Sequence, residues 1–185
     1  MKRFTFSLAF SALIIIIISN VYAAEKAYHI GPGDIIEISV WKDPDLSRML
    51  VVPPDGIIAF PLINSIDVTH LTVDELKNIL KQKLSEFIPD ATVTVMLTEI
   101  NSLKAYVIGK VQRSGEFPIS LESNVMQILA QAGGLTPFAS DGNIKILRQK
   151  GNKIIKIPFD YGEVEKGKNL EQNILLQPGD VVVVP

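Results

Sequence analysis

Three aspartates at glycine-containing turns are the first residues with possible chemistry. Asp34 and Asp180 each follow a Pro-Gly pair, and Asp55 precedes Gly56. Two carboxylates at a suitable separation can cleave a glycosidic bond, but the sequence favours no particular pair. Aspartates at turns also accept hydrogen bonds from nearby backbone N–H groups, and this role accounts for all three residues. We therefore predict no catalytic residues.

Trp41 and Lys42 are candidate contacts for a polysaccharide or a partner protein. They lie in a polar loop at the end of the first predicted strand. An indole beside polar groups can stack on a sugar, and packing in the core or at its edge explains the tryptophan equally well. Asp55 is the third candidate contact, in addition to its role in a turn.

Residues 162–169 (GEVEKGKN) have the glycine and lysine spacing of a phosphate-binding loop. The last position of such a loop needs a hydroxyl for Mg²⁺, and Asn169 has none. Glu163 and Glu165 would also repel phosphate groups. The segment is therefore interpreted as a solvated charged loop.

The composition excludes several classes of site. The chain has no cysteine, so it has no disulfide, Cys-based zinc site or thiol catalysis. Its two histidines, His29 and His70, are too few for a multi-His metal centre and are interpreted as surface or structural residues. We predict no metal and no cofactor. The net charge of −2 argues against electrostatically driven nucleic-acid binding.

Residues 1–23 are predicted to be a signal peptide. Lys2 and Arg3 precede a mostly apolar stretch at residues 4–18, and cleavage is expected after Ala23. An uncleaved membrane anchor is the alternative, but the apolar stretch is short for a span of about 20 residues. The chain is therefore expected to be exported.

Residues 24–101 are predicted to form a first domain. Residues 35–41 alternate as a strand, and residues 49–60 are predicted to be a hairpin around an Asp-Gly turn. Thr72 and Glu75 have the spacing of a capping box at the start of a helix. Residues 92–98 form a further alternating strand.

Residues 102–185 are predicted to form a second domain. Asn124 caps a short helix at residues 125–132. The predicted strands lie at residues 104–108, 116–119, 144–147, 154–157 and 181–184. The expected fold class is α+β, with mixed sheets. Pro-Gly-Asp precedes an apolar strand both at residues 32–34 and at residues 178–180, which indicates a turn and not a duplication.

Taken together, these segments resemble the polysaccharide export family of bacterial capsule and exopolysaccharide secretion. The first domain carries the resemblance at residues 28–34, 51–62, 71–76 and 92–98. The second resembles a soluble-ligand-binding β-grasp domain at residues 107–111, 115–117, 132–134 and 176–182. The order and spacing of these segments are more specific than any one of them. The implied architecture is a small mixed-sheet export domain followed by a β-grasp-like domain.

The resemblance implies a non-enzymatic part of an export machine, located in the periplasm or associated with the outer membrane. Several copies would form a homo-oligomeric ring or conduit for polysaccharide, stacked on an inner-membrane co-polymerase. Longer relatives carry a lipid-bearing cysteine and a C-terminal helix that forms an outer-membrane pore. This sequence has no cysteine and stops at Pro185, so we expect a separate outer-membrane protein to provide the exit.

Three positions depart from the family pattern. Glycine is common where Asn64 and His70 stand, and proline is common at Ser114. Asparagine tolerates a left-handed backbone, so Asn64 is expected to replace glycine readily and His70 less readily. Ser114 is expected to loosen its loop.

Two other functions are compatible with the sequence. A monomeric carbohydrate-binding or sensing module would use the β-grasp unit. A carbohydrate-cleaving enzyme would need a pair of acids in a cleft, and the sequence offers no such pair.

Overall fold

The computed structural model describes residues 27–185, so the predicted signal peptide at residues 1–23 lies outside the described residues. Two hydrophobic cores divide the described chain. The first is built from residues 30–97 and the second mainly from residues 103–184. Strands in three sheets combine with helices in both units, which confirms the α+β class.

The elements follow one another along the chain. The strands are β1 (Ile35–Val40), β2 (Asp43–Val51), β3 (Ile57–Phe60), β4 (Asn64–Asp67), β5 (Val93–Glu99), β6 (Lys104–Gly109), β7 (Gly115–Pro118), β8 (Ile144–Lys150), β9 (Lys153–Phe159) and β10 (Val181–Val184). The helices are α1 (Val73–Leu84), α2 (Val125–Gln131) and α3 (Tyr161–Glu165).

The first core lies between a three-stranded antiparallel sheet and α1. The strand order is β2-β1-β5, and α1 packs against β5. Leu76, Leu80 and Leu84 recur every four residues and are fully buried. The capping box that begins α1 is confirmed, because Thr72 and Glu75 each accept a hydrogen bond from the other's backbone N–H.

The predicted hairpin over residues 49–60 is wrong. β2 pairs with β1, and β3 pairs with β4 in a separate two-stranded sheet. Pro53 and Pro54 follow the end of β2 and have no backbone N–H to donate, so they interrupt any ladder there. Val52 is instead held at the start of β1, because its N–H donates to the Asp34 carbonyl and its own carbonyl accepts from Gly33.

The second core has the β-grasp-like arrangement that the resemblance implied. Its five strands are ordered β7-β6-β10-β8-β9, with β6 and β10 parallel at the centre. The apolar face of α2 belongs to the same core. Asn124 caps α2 as predicted, and Gly133 and Gly134 end it with φ angles of 82° and 84°.

Two local expectations need correction. The charged segment at 162–169 is not a loop throughout, because Asp160 caps the short helix α3 by accepting from the Glu163 N–H at 2.9 Å. His70 adopts the left-handed conformation as fully as Asn64 does, with φ angles of 65° and 58°. Within residues 27–185, the helices are all too short or too polar to cross a membrane.

Candidate functional site at the junction of the two cores

The two Pro-Gly-Asp segments fold into the same turn. Asp34 Oδ2 accepts a hydrogen bond from Gly31 N at 2.8 Å, and Asp180 Oδ2 accepts one from Gln177 N at 2.8 Å. The glycine before each aspartate has a positive φ, which a residue with a Cβ rarely adopts. The predicted turn role is confirmed for both aspartates. Asp55 also shows it, since its Oδ1 accepts from Ile57 N at 3.1 Å.

Asp34 differs from Asp180 in what its second oxygen contacts. Asp34 belongs to the first unit and is fully buried. Its Oδ1 accepts hydrogen bonds from the backbone N–H groups of Asn101 and Ser102, each at 2.9 Å. These two residues lead directly into β6 of the second unit. One carboxylate thus fixes the position of the chain where the two cores meet.

Tyr28 completes this cluster. Its hydroxyl donates to Asp34 Oδ2 and lies 2.8 Å from Ser102 Oγ, and Ser102 Oγ itself lies 3.3 Å from the same carboxylate oxygen. Burial, together with the hydrogen bond to Asp34, raises the pKa of the Tyr28 phenol well above its usual value. The phenol therefore stays protonated and continues to donate to Asp34 throughout the physiological pH range.

Asp180 is satisfied within its own unit. Arg148 donates from Nε to Oδ1 at 2.9 Å and from Nη2 to Oδ2 at 2.6 Å. This bidentate ion pair is almost fully buried, so each oxygen of the carboxylate has a charged partner. The turn at Asp180 therefore stabilises the second unit internally, whereas the equivalent turn at Asp34 in the first unit connects the two units.

Tyr28 lines two clefts. The first has a volume of about 530 Å³ and is lined by residues of both units, among them His29, His70, Asn101 and Tyr106. The second, of about 640 Å³, is lined largely by apolar groups such as Ile100, Leu103 and Pro118. A concave surface with aromatic rings and a few polar groups suits a ring that has apolar faces and hydroxyl edges, as sugars do.

The ion pair at the edge of the first cleft is exposed. Lys104 Nζ lies 2.8 Å from Glu116 Oε1. The hydrogen bond between them raises the pKa of Lys104 and lowers the pKa of Glu116, so both groups are charged at neutral pH. An exposed pair of this kind contributes little to stability. Its charges cancel, so the cleft has no strong electrostatic preference from this source.

The arrangement offers binding groups rather than an acid–base pair. Both oxygens of Asp34 already accept hydrogen bonds, which leaves this carboxylate poorly placed to exchange a proton with a substrate. In the described part of the chain, no group of three or more His, Asp or Glu side chains is placed to hold a metal ion.

The predicted contact residues lie elsewhere, and the structure does not bring them together. Trp41 and Lys42 form the turn between β1 and β2, and Asp55 follows the opposite end of that pair. The six residues of β1 correspond to a separation of about 17 Å along the strand. Trp41 is 72% exposed, so it is not a core residue. None of the three lines either cleft beside Tyr28, and their role as contacts remains a prediction.

Sequence reasoning missed the cluster of Tyr28, Asp34 and Ser102. The turn around Asp34 was readable because its hydrogen bond to Gly31 is local. The bonds to residues 101 and 102 join positions 67 and 68 apart in the chain, and no spacing rule connects them. The repeated Pro-Gly-Asp segment was the only available signal that Asp34 had a structural task.

Comparison with known families assigns both units. The model described as "Polysaccharide biosynthesis/export protein" matches residues 22–98, and the SLBB domain model matches residues 103–184. The two matches meet at the segment that Asp34 holds.

Individual relatives agree with these matches. The chain is 27% identical to the EPS I polysaccharide export outer membrane protein EpsA of Ralstonia nicotianae, with 88% of this chain and 48% of the relative covered. It is 26% identical to the capsule polysaccharide export outer membrane protein CtrA of Neisseria meningitidis, with 82% and 43% covered. It is 25% identical to the polysialic acid transport protein KpsD of Escherichia coli, with 85% and 28% covered.

The chain spans about half or less of the length of these curated relatives. The two family matches nevertheless cover nearly all of the described residues, and they follow the order of the two cores. The chain belongs to the polysaccharide export protein family.

Proposed function

We propose that this protein is a periplasmic component of a capsule or exopolysaccharide export machine. Several copies form a ring or conduit between an inner-membrane co-polymerase and a separate outer-membrane exit protein. Residues 1–23 act as a cleaved signal peptide, residues 24–101 form the export domain, and residues 102–185 form the β-grasp domain. The protein acts as a scaffold and passage for polymer and does not make or break bonds.

The observation that carries this proposal is the braced junction between the two family-matched units. A flexible linker would let the units move independently, whereas Asp34 accepts hydrogen bonds from the backbone N–H groups of Asn101 and Ser102 in the connecting segment. A subunit of a ring needs a fixed angle between its parts, because small errors of angle accumulate around the ring. The buried cluster provides such a constraint.

A second function is supported by the first cleft beside Tyr28, which residues of both units line. Its lining combines two tyrosines with His29, His70 and Asn101, which is suitable for stacking on and hydrogen bonding to a sugar. A monomeric carbohydrate-binding or sensing module would need no more than this cleft. In a conduit, the same surface would make weak contacts, because tight binding would hold the polymer in place.

The decisive experiment is a clean deletion of the gene with complementation in trans. Surface, secreted and periplasmic polysaccharide are quantified separately. Export predicts that polysaccharide outside the cell is lost, that the periplasmic pool rises, and that complementation restores both. Unchanged polysaccharide in a strain that expresses the gene and has no second copy of the family would refute the export role.

A binding experiment then separates the two candidate functions. The purified chain is titrated by calorimetry with oligosaccharides obtained by partial hydrolysis of the exported polymer. If the protein is a sensing module, a monomer should bind the oligosaccharide saturably. His29→Ala should weaken this binding, and Trp41→Ala should leave it unchanged. The opposite ranking of the two variants would place the sugar at the tip of the β1–β2 hairpin, where Trp41 and Lys42 lie.

A further inference from the structure

Each of the two larger sheets leaves one face uncovered. In the sheet β2-β1-β5, Ile36, Ile38 and Val40 point into the first core, so the alternate residues point outward. We call this outward surface face A. Its members are Ile35, Glu37, Ser39, Met49, Val51, Thr94 and Met96, with Glu99 opposite Ile35 at the end of β5.

Face A is apolar and has one carboxylate near its centre. Met49, Val51 and Met96 are 58%, 61% and 48% exposed. Met49 and Met96 are the direct cross-strand partners of Glu37, one on each side. Within residues 27–185, Glu37 takes part in no ion pair. A half-buried carboxylate between two thioether side chains is suited to an ion pair with a cationic side chain of another molecule.

The sheet of the second unit has the complementary surface, which we call face B. Ala105, Val107, Val182 and Ile146 are buried on the core side, so the alternate residues point outward. The apolar members of face B include Tyr106, Ile108, Leu147, Ile154, Val181 and Val183.

The uncompensated charges of face B are positive. Lys145 pairs across the strands with Val183 and Lys156 pairs with Leu147, so both lie beside the apolar centre. Neither lysine joins an ion pair with any described residue, whereas Lys104 is already neutralised by Glu116. Face B therefore offers two free ammonium groups around an apolar strip.

We propose that face A of one copy docks on face B of the next copy, with Glu37 placed against Lys145 or Lys156. This inference rests on the proposed function, because it identifies the surfaces that join subunits of the ring. The contact is head-to-tail, so each copy uses both of its open faces. Repetition of such a contact produces a closed ring or an open filament, depending on the rotation between copies.

Charge disfavours the simpler symmetric pairings. In a two-fold dimer through face A, Glu37 would approach its own copy, and in a dimer through face B the lysines would meet each other. Like charges at an interface disfavour association. Only the pairing of A with B brings apolar surface to apolar surface and opposite charges together.

The test uses charge reversal in the full chain. Glu37→Lys and Lys145→Glu should each weaken self-association at least about tenfold. The double variant should restore it, and so should an equimolar mixture of the two single variants. When the two variants alternate in the mixture, each junction joins either two reversed charges or two native ones, so opposite charges meet at every step of a head-to-tail contact.

The controls reverse charges outside the two faces. Glu86→Lys follows α1, on the covered side of the first sheet, and Lys153→Glu lies in β9 at a position that alternates away from face B. Both controls should associate like the wild type. Sedimentation velocity from about 10 μM to 1 mM subunit covers the range of weak protein contacts, and melting temperatures show that each variant is folded. If Glu37→Lys does not fold, Thr94→Lys tests face A at an exposed position.

Three outcomes would overturn the proposal. A wild-type chain that stays monomeric up to 1 mM would assign the faces to a different partner. Variants that associate like the wild type would place the contact elsewhere. Single variants that fail to complement each other in the mixture would exclude the head-to-tail geometry. None of these results decides the export role, which the gene deletion tests separately.

Discussion

Replacement of Asp34 by asparagine is expected to loosen the junction between the two units. The change keeps the shape of the side chain but replaces one acceptor oxygen with an NH₂ group. In one orientation that group faces the N–H groups of Asn101 and Ser102, and in the other it faces Gly31 N and the Tyr28 hydroxyl. In the first orientation two backbone N–H groups lose their acceptor. In the second the Gly31 N–H loses its acceptor, whereas the Tyr28 hydroxyl can accept a hydrogen bond from the NH₂ group.

The magnitude follows from the number of bonds lost. Hydrogen bonds to a charged group contribute about 1.5–3 kcal/mol each, and a buried donor left without a partner is also costly. Asparagine loses one or two such bonds with backbone N–H groups, so Asp34→Asn should lower the free energy of unfolding by about 1.5–6 kcal/mol. Water entering from the adjacent cleft would bring the value towards the lower end of that range.

Asp180→Asn is the matched control, because Asp180 occupies the equivalent Pro-Gly-Asp turn in the second unit. It should cost a similar amount, since it disrupts the buried ion pair with Arg148. The location of the damage should differ. Asp34→Asn should increase hydrogen exchange on both sides of the junction, in residues 28–34 and 101–104, whereas Asp180→Asn should increase exchange within the second unit only.

The measurements are urea denaturation followed by circular dichroism, and hydrogen exchange followed by mass spectrometry. Loosening of the junction also predicts that unfolding of Asp34→Asn separates into two transitions, because the two cores lose their coupling. A loss below about 1 kcal/mol, or the same exchange map for both variants, would refute the assignment of Asp34 as the brace between the units.

Three further predictions concern single positions. The pKa of Tyr28 is raised in the folded chain, so the unfolded chain loses this proton first as the pH rises. The free energy of unfolding should therefore fall as the pH rises above about 10. Tyr28→Phe should show a shallower fall in alkaline urea titrations. Gly109→Ala should destabilise the chain by at least about 2 kcal/mol more than Gly134→Ala in urea titrations. Both glycines have positive φ, but only at Gly109 would a Cβ lie 1.9 Å from a backbone oxygen, that of Val184. His70→Gly should raise the melting midpoint by relieving about 1 kcal/mol of left-handed strain, whereas His70→Val should lower it.

The sequence was most informative where the determining contacts are local. The start of α1 depends on two residues three positions apart, Thr72 and Glu75, and both hydrogen bonds of the capping box form as predicted. The Pro-Gly-Asp turns were predictable for the same reason, since proline and glycine set the backbone angles and the aspartate bonds a residue three positions earlier.

Strand partners were less predictable, because alternation identifies a strand without identifying its neighbour. Residues 49–60 looked like a hairpin since two apolar runs flank an Asp-Gly turn. The actual partner of β2 is β1, and β2 begins at Asp43, earlier than its apolar part suggests. Two consecutive prolines after β2 were the available warning that the ladder stops there.

The candidate site could not have been located from spacing at all. The cluster depends on Asp34 meeting a segment 67 residues later, and the cleft appears only when both units are in place. The open faces could be predicted in part, because the residues that point outward follow from strand alternation. Their complementary charge emerged only when the register placed Glu37 between Met49 and Met96.

The junction and the open faces lead to a common prediction, because face A belongs to the first unit and face B to the second. The angle between successive copies in a head-to-tail assembly then depends on the angle that Asp34 fixes within each copy. A folded Asp34→Asn chain should therefore still associate, since both faces are unchanged, but with a broader distribution of assembly sizes than the wild type. Asp180→Asn, whose damage is confined to one unit, should retain the wild-type distribution in sedimentation velocity. Identical distributions for both variants would mean that the angle between the units does not control how copies join.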